Sequence, residues 1–176
     1  TISGRIARQL YQNANIVING YEKTDLPDSF FDVSIGNVPF GDFKLNDKRY
    51  DKNNFLIHDY FFAKTLDKVR SGGVIAFITS KGTMDKASPD VRKYIAQRAD
   101  LLGAIRLPDN TFTKNAGTKV TSDIIFLQKR EKLTDIMPDW VYLDQDENNI
   151  TMNKYFVDNP NMILGKMEIE STQYGF

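Results

Sequence analysis

The stretch Phe31-Asp32-Val33-Ser34-Ile35-Gly36-Asn37-Val38-Pro39-Phe40 decides how this 176-residue chain is read. Its first part has the β-branched character of a strand, and Gly36-Asn37 is a turn signal, so a strand feeds a loop here. Working outward, residues 41 to 54 are polar, charged and aperiodic, the pattern of a mobile surface loop of lid-like length. From Phe55 to Arg70, apolar Leu56, Ile57, Tyr60, Phe61, Leu66 and Val69 oppose Asp59, Lys64, Asp67 and Lys68, which predicts a helix closed by Ser71-Gly72-Gly73. Val74-Ile75-Ala76-Phe77-Ile78 follows as an unbroken apolar run, the mark of a parallel strand covered on both faces.

Ser88 and Pro89 announce a second helix running through Val91, Tyr94, Ile95 and Ala99, and strands are predicted over residues 101 to 107 and 122 to 128. Upstream, Ile2, Ile6, Leu10 and Tyr11 recur at helical spacing, and residues 15 to 20 form a short β-branched run closed by Asn19-Gly20, read as a strand. This order is that of an α/β protein: an open, mostly parallel sheet with crossover helices and a reversed strand near the end. Beyond Glu131 the pattern weakens; Trp140 to Leu143 has strand character, and residues 131–176 read as a C-terminal extension on the sheet or a link to a further domain.

Bulk composition narrows the chemistry. The absence of cysteine removes disulfides, Cys-ligated zinc and thiol nucleophiles, and with one histidine no metal site is expected. No run approaches the roughly 20 apolar residues of a membrane helix, so no membrane partner is expected and the predicted location is cytoplasmic. Lys plus Arg and Asp plus Glu balance at 23 each, so any nucleic acid would have to be held locally rather than by a long-range field. The chain opens on Thr1 directly before a helical pattern, which reads as a piece of a longer polypeptide.

Ligands of open α/β sheets sit beyond the carboxyl ends of the strands, where Asn37, Val38, Pro39 and Phe40 lie. An Asn side-chain oxygen and an adjacent backbone carbonyl can accept both hydrogens of a ring-conjugated amine, localise its lone pair and aim it. Proline at the third place fixes the backbone, and an aromatic ring at the fourth can stack on an extruded base. The bland reading of the same residues is an ordinary turn followed by a core phenylalanine. His58, in the first turn of an amphipathic helix, reads as structural. The basic residues Lys44, Lys48, Arg49 and Lys52 are offset by Asp42, Asp47 and Asp51, leaving a phosphate-tracking role secondary.

Over roughly residues 1–130 the chain resembles the adenine-specific amino-methyltransferases of restriction-modification systems and the methylase domains of large phage and plasmid proteins. The resemblance rests on Asn37-Val38-Pro39-Phe40, the helix after it, Gly72-Gly73 leading into Val74 to Phe77, then Arg106-Leu107-Pro108, Phe112, and the segment from Gly117 through Lys119 to Ser122. It implies a Rossmann-like class I methyltransferase fold, truncated on its N-terminal side, in which residues 1–130 are the catalytic half. It further implies that Asn37 and the Val38 carbonyl bind the target amine, that Phe40 and Phe112 stack on a flipped adenine, and that Glu22, Asn37 and Pro39 adjoin S-adenosylmethionine. Lys119 and Thr121 become candidate DNA contacts. Val38 stands where the family has its first proline, which loosens the loop. The family's glycine-rich donor loop has no counterpart here, so the donor site is expected to be incomplete and the chain inactive alone, with DNA and further domains of the same polypeptide as partners. Two alternatives follow from the same residues: a non-catalytic DNA-binding or docking remnant, and a protein-glutamine amide methyltransferase.

Overall fold

The computed structural model describes residues 1–117 and 119–168, apart from the side chains of Asn115 and Ala116. Thr118, within the loop singled out above, and the last eight residues of the extension lie outside them. Helix α1 (Ile2–Leu10) opens on Thr1, whose Oγ1 accepts the Gly4 N–H at 3.2 Å. The strand expected over residues 15 to 20 does not form. That segment packs along α1 instead: Arg8 donates to the Ile16 carbonyl, and Ile18 lies so close that a Cβ on Gly4 would sit 2.7 Å from it. Its β-branched residues satisfy a strand propensity, but propensity supplies no pairing partner.

Strand β1 (Phe31–Asn37) leads through the 38–56 segment to helix α2 (Ile57–Lys68), strand β2 (Val69–Ser80), and the single helical turn α3 (Gly82–Asp85). Helix α4 (Asp90–Arg98) and strand β3 (Ala99–Leu107) follow, then the turn α5 (Thr113–Ala116) and strand β4 (Ser122–Lys129). The sheet order is β1-β2-β4-β3; β1 and β2 are parallel, and β4 runs antiparallel to both its neighbours. Three strands therefore share one direction, and the reversed strand sits between two of them. This is an open, mostly parallel α/β sheet of Rossmann-like character with one reversed strand.

The expected turn at residues 71–73 lies inside β2. Phe31 pairs with Val69 and Val33 with Val74, so residues 70–73 bulge opposite Asp32. Gly72 adopts φ 77°, and a Cβ on Gly73 would meet the Asp32 carbonyl at 2.8 Å, which is why the bulge uses glycine.

Helices α2 and α4 cover one face of this sheet. Phe62 and Leu66 of α2, Ile95 and Ala96 of α4, and Ile75, Phe77, Ala104, Ile125 and Leu127 of the strands form a single buried cluster. The apolar run in β2 was expected to be covered on both faces, but Val74, Ala76 and Ile78 remain half-exposed. An unbroken apolar run records which faces tolerate burial, and these described residues provide cover for only one.

After β4 the chain returns to the covered face. A turn over Asp139–Val141 occupies the place where a strand was expected from Trp140, and only from Leu143 does a hairpin form, β5 (Leu143–Gln145) with β6 (Thr151–Asn153). Helix α6 (Lys154–Asp158) completes it, with Trp140, Val141, Met152 and Phe156 buried in the main core.

Candidate functional site

The C-terminal ends of β1, β2 and β3 and the start of β4 form one edge of the sheet, because Asn37 pairs with Ile78, and Ser80 and Leu107 both pair with Ser122. Every loop singled out from the sequence, except that of Glu22, leaves from this edge. Val38 anchors the first of them. Its N–H donates to the Ile78 carbonyl at 3.0 Å and its side chain is buried in the core, whereas Asn37, Pro39 and Phe40 are exposed. Val38 therefore gives the loop a buried apolar anchor and a ladder-type hydrogen bond. The polar group and the ring that would do chemistry remain free.

The second loop, residues 108–121, is closed at its neck by the Val120 N–H donating to the Asp109 carbonyl at 2.9 Å. Phe112 is half-buried at the start of α5. No ring contact joins it to Phe40 among the described residues, so the two aromatics share an edge without closing on each other. Lys119 pairs with Asp109 at 3.1 Å, and the Thr121 carbonyl accepts the Lys81 N–H at 3.1 Å, tying the exit of this loop to the turn after β2.

Beside β1 lies an apolar trough of about 260 Å³, with Asn37 among its lining residues, walled by Phe61 and Phe77 and overhung by Tyr21. Gly36 forms its floor: a Cβ there would press on the Phe77 ring at 3.3 Å. Glu22 does not line it. It belongs to a separate polar cleft with Asp47, Arg49 and Lys64, and Lys64 Nζ donates to its carbonyl at 3.4 Å. The structure thus brings Asn37, Val38, Pro39, Phe40, Phe112, Lys119 and Thr121 to one edge and leaves Glu22 outside it.

The loop expected to be mobile, residues 41–54, is tied down. Asp47 accepts from the Tyr60 hydroxyl at 2.7 Å and from Lys64 Nζ at 3.2 Å, and the Tyr50 hydroxyl donates to Asp67. Burial works against the Asp47 carboxylate, yet the bonds from Tyr60 and Lys64 hold it below its usual range. Arg49 pairs with Asp28 at 2.7 Å and Asp67 at 2.9 Å, so the most prominent cation of the supposed phosphate-tracking cluster is already committed to carboxylates. The Phe43 carbonyl accepts the Ile57 N–H at 2.9 Å and so caps α2, which has no side-chain cap of its own. The available signal was Tyr60 and Lys64, polar groups one turn apart on α2, but their partner in the loop was not readable.

His58 is buried, with Nε2 3.3 Å from Asp59, which also accepts from Lys86 at 3.2 Å. Burial lowers its pKa and Asp59 opposes the shift. At the β3 and β4 ends of the same edge, buried Arg106 donates to Asp123 and, through both terminal nitrogens, to Asp85 at 2.8–3.0 Å. Asp85 also accepts the Asn153 N–H at 3.0 Å, so the turn after β2 is fastened to the C-terminal segment. No helix among the described residues is long and apolar enough to cross a membrane.

The exposed Asn37-Val38-Pro39-Phe40 loop thus lies beyond the carboxyl end of a strand in a mostly parallel α/β sheet, where ligands of such sheets bind. A sequence profile of the N-6 DNA methylase family matches residues 9–169, and the chain belongs to that family. It is 33% identical over 135 residues to the defense against restriction protein B of Escherichia phage P1, a match covering 73% of this chain and 6% of the phage protein. Among solved structures it is similar to a putative class I S-adenosylmethionine-dependent methyltransferase of Listeria monocytogenes, with TM-score 0.49, 20% identity, and coverage of 65% of this chain and 36% of that one. It is also similar to a modification subunit of a putative type I restriction enzyme from Vibrio vulnificus, with TM-score 0.46, 18% identity, and coverage of 76% and 31%. The chain therefore spans well under half the length of these relatives.

Proposed function

We propose that this chain is the target-amine half of an S-adenosylmethionine-dependent DNA adenine N6-methyltransferase whose donor site is completed by polypeptide outside residues 1–176. The observation that carries the reading is the division of labour in the Asn37 to Phe40 loop. Val38 buries its side chain and fixes the loop to β2, which leaves the Asn37 amide and the Phe40 ring exposed at the edge where ligands of such sheets sit. The Asn37 side-chain oxygen and the Val38 carbonyl accept the two hydrogens of the adenine amine, Pro39 restricts the loop, and Phe40 stacks on the extruded base. Phe112, on the neighbouring loop, takes the opposite face after that loop moves toward Phe40. Lys119 and Thr121 stand close to the flanking DNA backbone.

Methyl transfer to unmethylated DNA by the full-length polypeptide tests this. Asn37→Ala is expected to lower transfer by about a hundredfold or more, the scale of losing a group that positions the reacting amine, and Phe40→Ala by less. Activity untouched by both substitutions overturns the assignment. For the chain alone, calorimetric titration with S-adenosylmethionine is expected to show weak binding or none; tight binding refutes the incomplete donor site.

A further inference from the structure

The loop that carries Phe112 springs from two strand ends: Arg106 and Leu107 finish β3, and Ser122 and Asp123 begin β4. Arg106 and Asp123 are paired in register, so their side chains point to the same side of the sheet. The Arg106 guanidinium is 1% exposed. It donates to both oxygens of fully buried Asp123 at 2.8 Å, and to both oxygens of Asp85 at 2.8 and 3.0 Å. Burial works against this charge, and the bonds to the two carboxylates outweigh it, so the guanidinium stays protonated. An ion network buried to this degree adds little stability, since apolar side chains of similar volume hold strands together as well. What its planar, forked bonds supply is one fixed geometry.

The chain after β4 converges on the same residue from several sides. The Asn153 N–H donates to Asp85 at 3.0 Å, and the Phe156 ring lies 4.3 Å from the guanidinium carbon. The Leu164 N–H donates to the Arg106 carbonyl at 2.9 Å, with Ile163 paired parallel to Arg106. Gly165 follows at φ 110° and turns against Pro108, the first residue of the loop, where a Cβ would stand 3.7 Å from the proline ring. Phe112 itself joins neither buried core cluster and stacks on no other aromatic among the described residues. Its place is therefore set through the backbone of its loop, and so through the two stems that Arg106 and Asp123 join.

We infer that residues 139–165 are a positioning element for the Phe112 loop, and that Arg106, Asp123 and Asp85 are the positioning residues through which they act. These residues touch no substrate. They fix the angle at which the loop leaves the sheet, and with it the approach of Phe112 to Phe40. A plain staple between β3 and β4 needs Arg106 and Asp123 alone. Asp85, Asn153 and Leu164 add nothing to that strand pairing; they tie it to the segment after β4. The purpose of the coupling rests on the base-stacking reading of Phe112 proposed above, whereas the coupling itself does not.

Two variants of the full-length polypeptide test this. Asp85→Asn keeps the side chain's shape and leaves Arg106 with Asp123, while Arg106→Lys keeps the charge and loses the fork. Hydrogen exchange read by mass spectrometry without DNA is expected to quicken by about tenfold or more at the loop's neck, where the Val120 N–H donates to Asp109, with β2 peptides unchanged. In methyl transfer, Asp85→Asn is expected to lower kcat by about tenfold and to move KM for DNA by less than about threefold. Combined with Phe112→Ala it should cost nothing further, because both changes remove the same contribution. Unchanged exchange at the neck in both variants overturns the inference, as does full additivity of Asp85→Asn with Phe112→Ala. Quickened exchange that reaches β2 in Asp85→Asn assigns the network to the sheet as a whole and overturns it too. If Phe112→Ala leaves transfer unchanged, the base-stacking reading fails instead, and the exchange data alone decide the coupling.

Discussion

Residues 1–30 and 131–168 flank the same sheet and fare oppositely. The later flank has weak periodicity and contributes Trp140, Val141, Met152 and Phe156 to the core, while the earlier flank has a clean helical stripe and buries none of α1. The lesson is that periodicity reports which side of an element is apolar, and burial depends on whether the chain supplies something to set against it. The later flank finds α3, α4 and β3, and is held there by polar contacts that no periodicity announces.

The comparison breaks most sharply at Phe156. Its side chain is fully buried and lies under the Arg106 guanidinium, whose carbon is 4.3 Å from the ring centroid. Phe156→Ala is expected to cost about 3–5 kcal/mol in urea unfolding, the scale of a core aromatic truncation. A loss below about 1 kcal/mol would mean that the later flank is not part of the core at all.

Next is Asn153, fully buried, whose amide nitrogen donates to the Met84 carbonyl at 2.9 Å and the Trp140 carbonyl at 2.8 Å. Asn153→Ala leaves both acceptors without that donor, and a loss of about 1–3 kcal/mol is expected in the same experiment. The effect should be seen first as exposure of Trp140, so its fluorescence should shift at lower urea than the amide circular dichroism. Coincident transitions would show that the flank and the sheet unfold as one.

The sequence made the sheet legible because β2, β3, β4 and α2 each carry an apolar pattern long enough to select a period. It made the C-terminal edge of the sheet legible because Asn37 ends β1, Phe112 lies in the loop after β3, and Thr121 immediately precedes β4. What it left hidden are choices between partners. Residues 15 to 20 have strand composition but pack along α1; residues 41 to 54 look like a free loop, but Asp47 and Tyr50 reach acceptors and donors on α2; Glu22 lies near the site in sequence and faces another cleft. In each case the deciding group is a single polar side chain or an unoccupied ladder, and neither leaves a periodic trace.

The tied loop sharpens the comparison with pH. Bonds from Lys68 and Arg49 hold the Asp28 carboxyl below its ordinary 3.8, and those from Tyr60 and Lys64 do the same for Asp47 against the effect of burial. A depressed carboxyl stabilises the fold fully above 3.8 and loses that contribution as the pH falls through the lower folded value. Carbon NMR titration should place both midpoints below 3.8, with the Tyr50 and Tyr60 ring signals shifting as Asp47 protonates; midpoints at or above 3.8 would return the loop to the mobile state expected from its composition. His58 gives a smaller effect with the same sign. Its pKa is lowered from 6.5 by burial, so its contribution is complete above 6.5 and declines as the pH falls toward the folded value. As the chain's single histidine it yields one imidazole signal, whose midpoint should fall below 6.5.

The smallest expected effect bears on the earlier flank. Ile6 is 53% exposed on a helix with no buried residue, so Ile6→Ser removes little buried area and should change stability by no more than about 0.5 kcal/mol in this chain. The same substitution at a covered position would cost several times more, because the full transfer free energy of the side chain is then at stake. Measuring Ile6→Ser and Phe156→Ala in one urea series therefore compares the two flanks on one scale. A loss at Ile6 approaching that at Phe156 would show that α1 already packs against something in the isolated chain, and the contrast between the flanks would disappear.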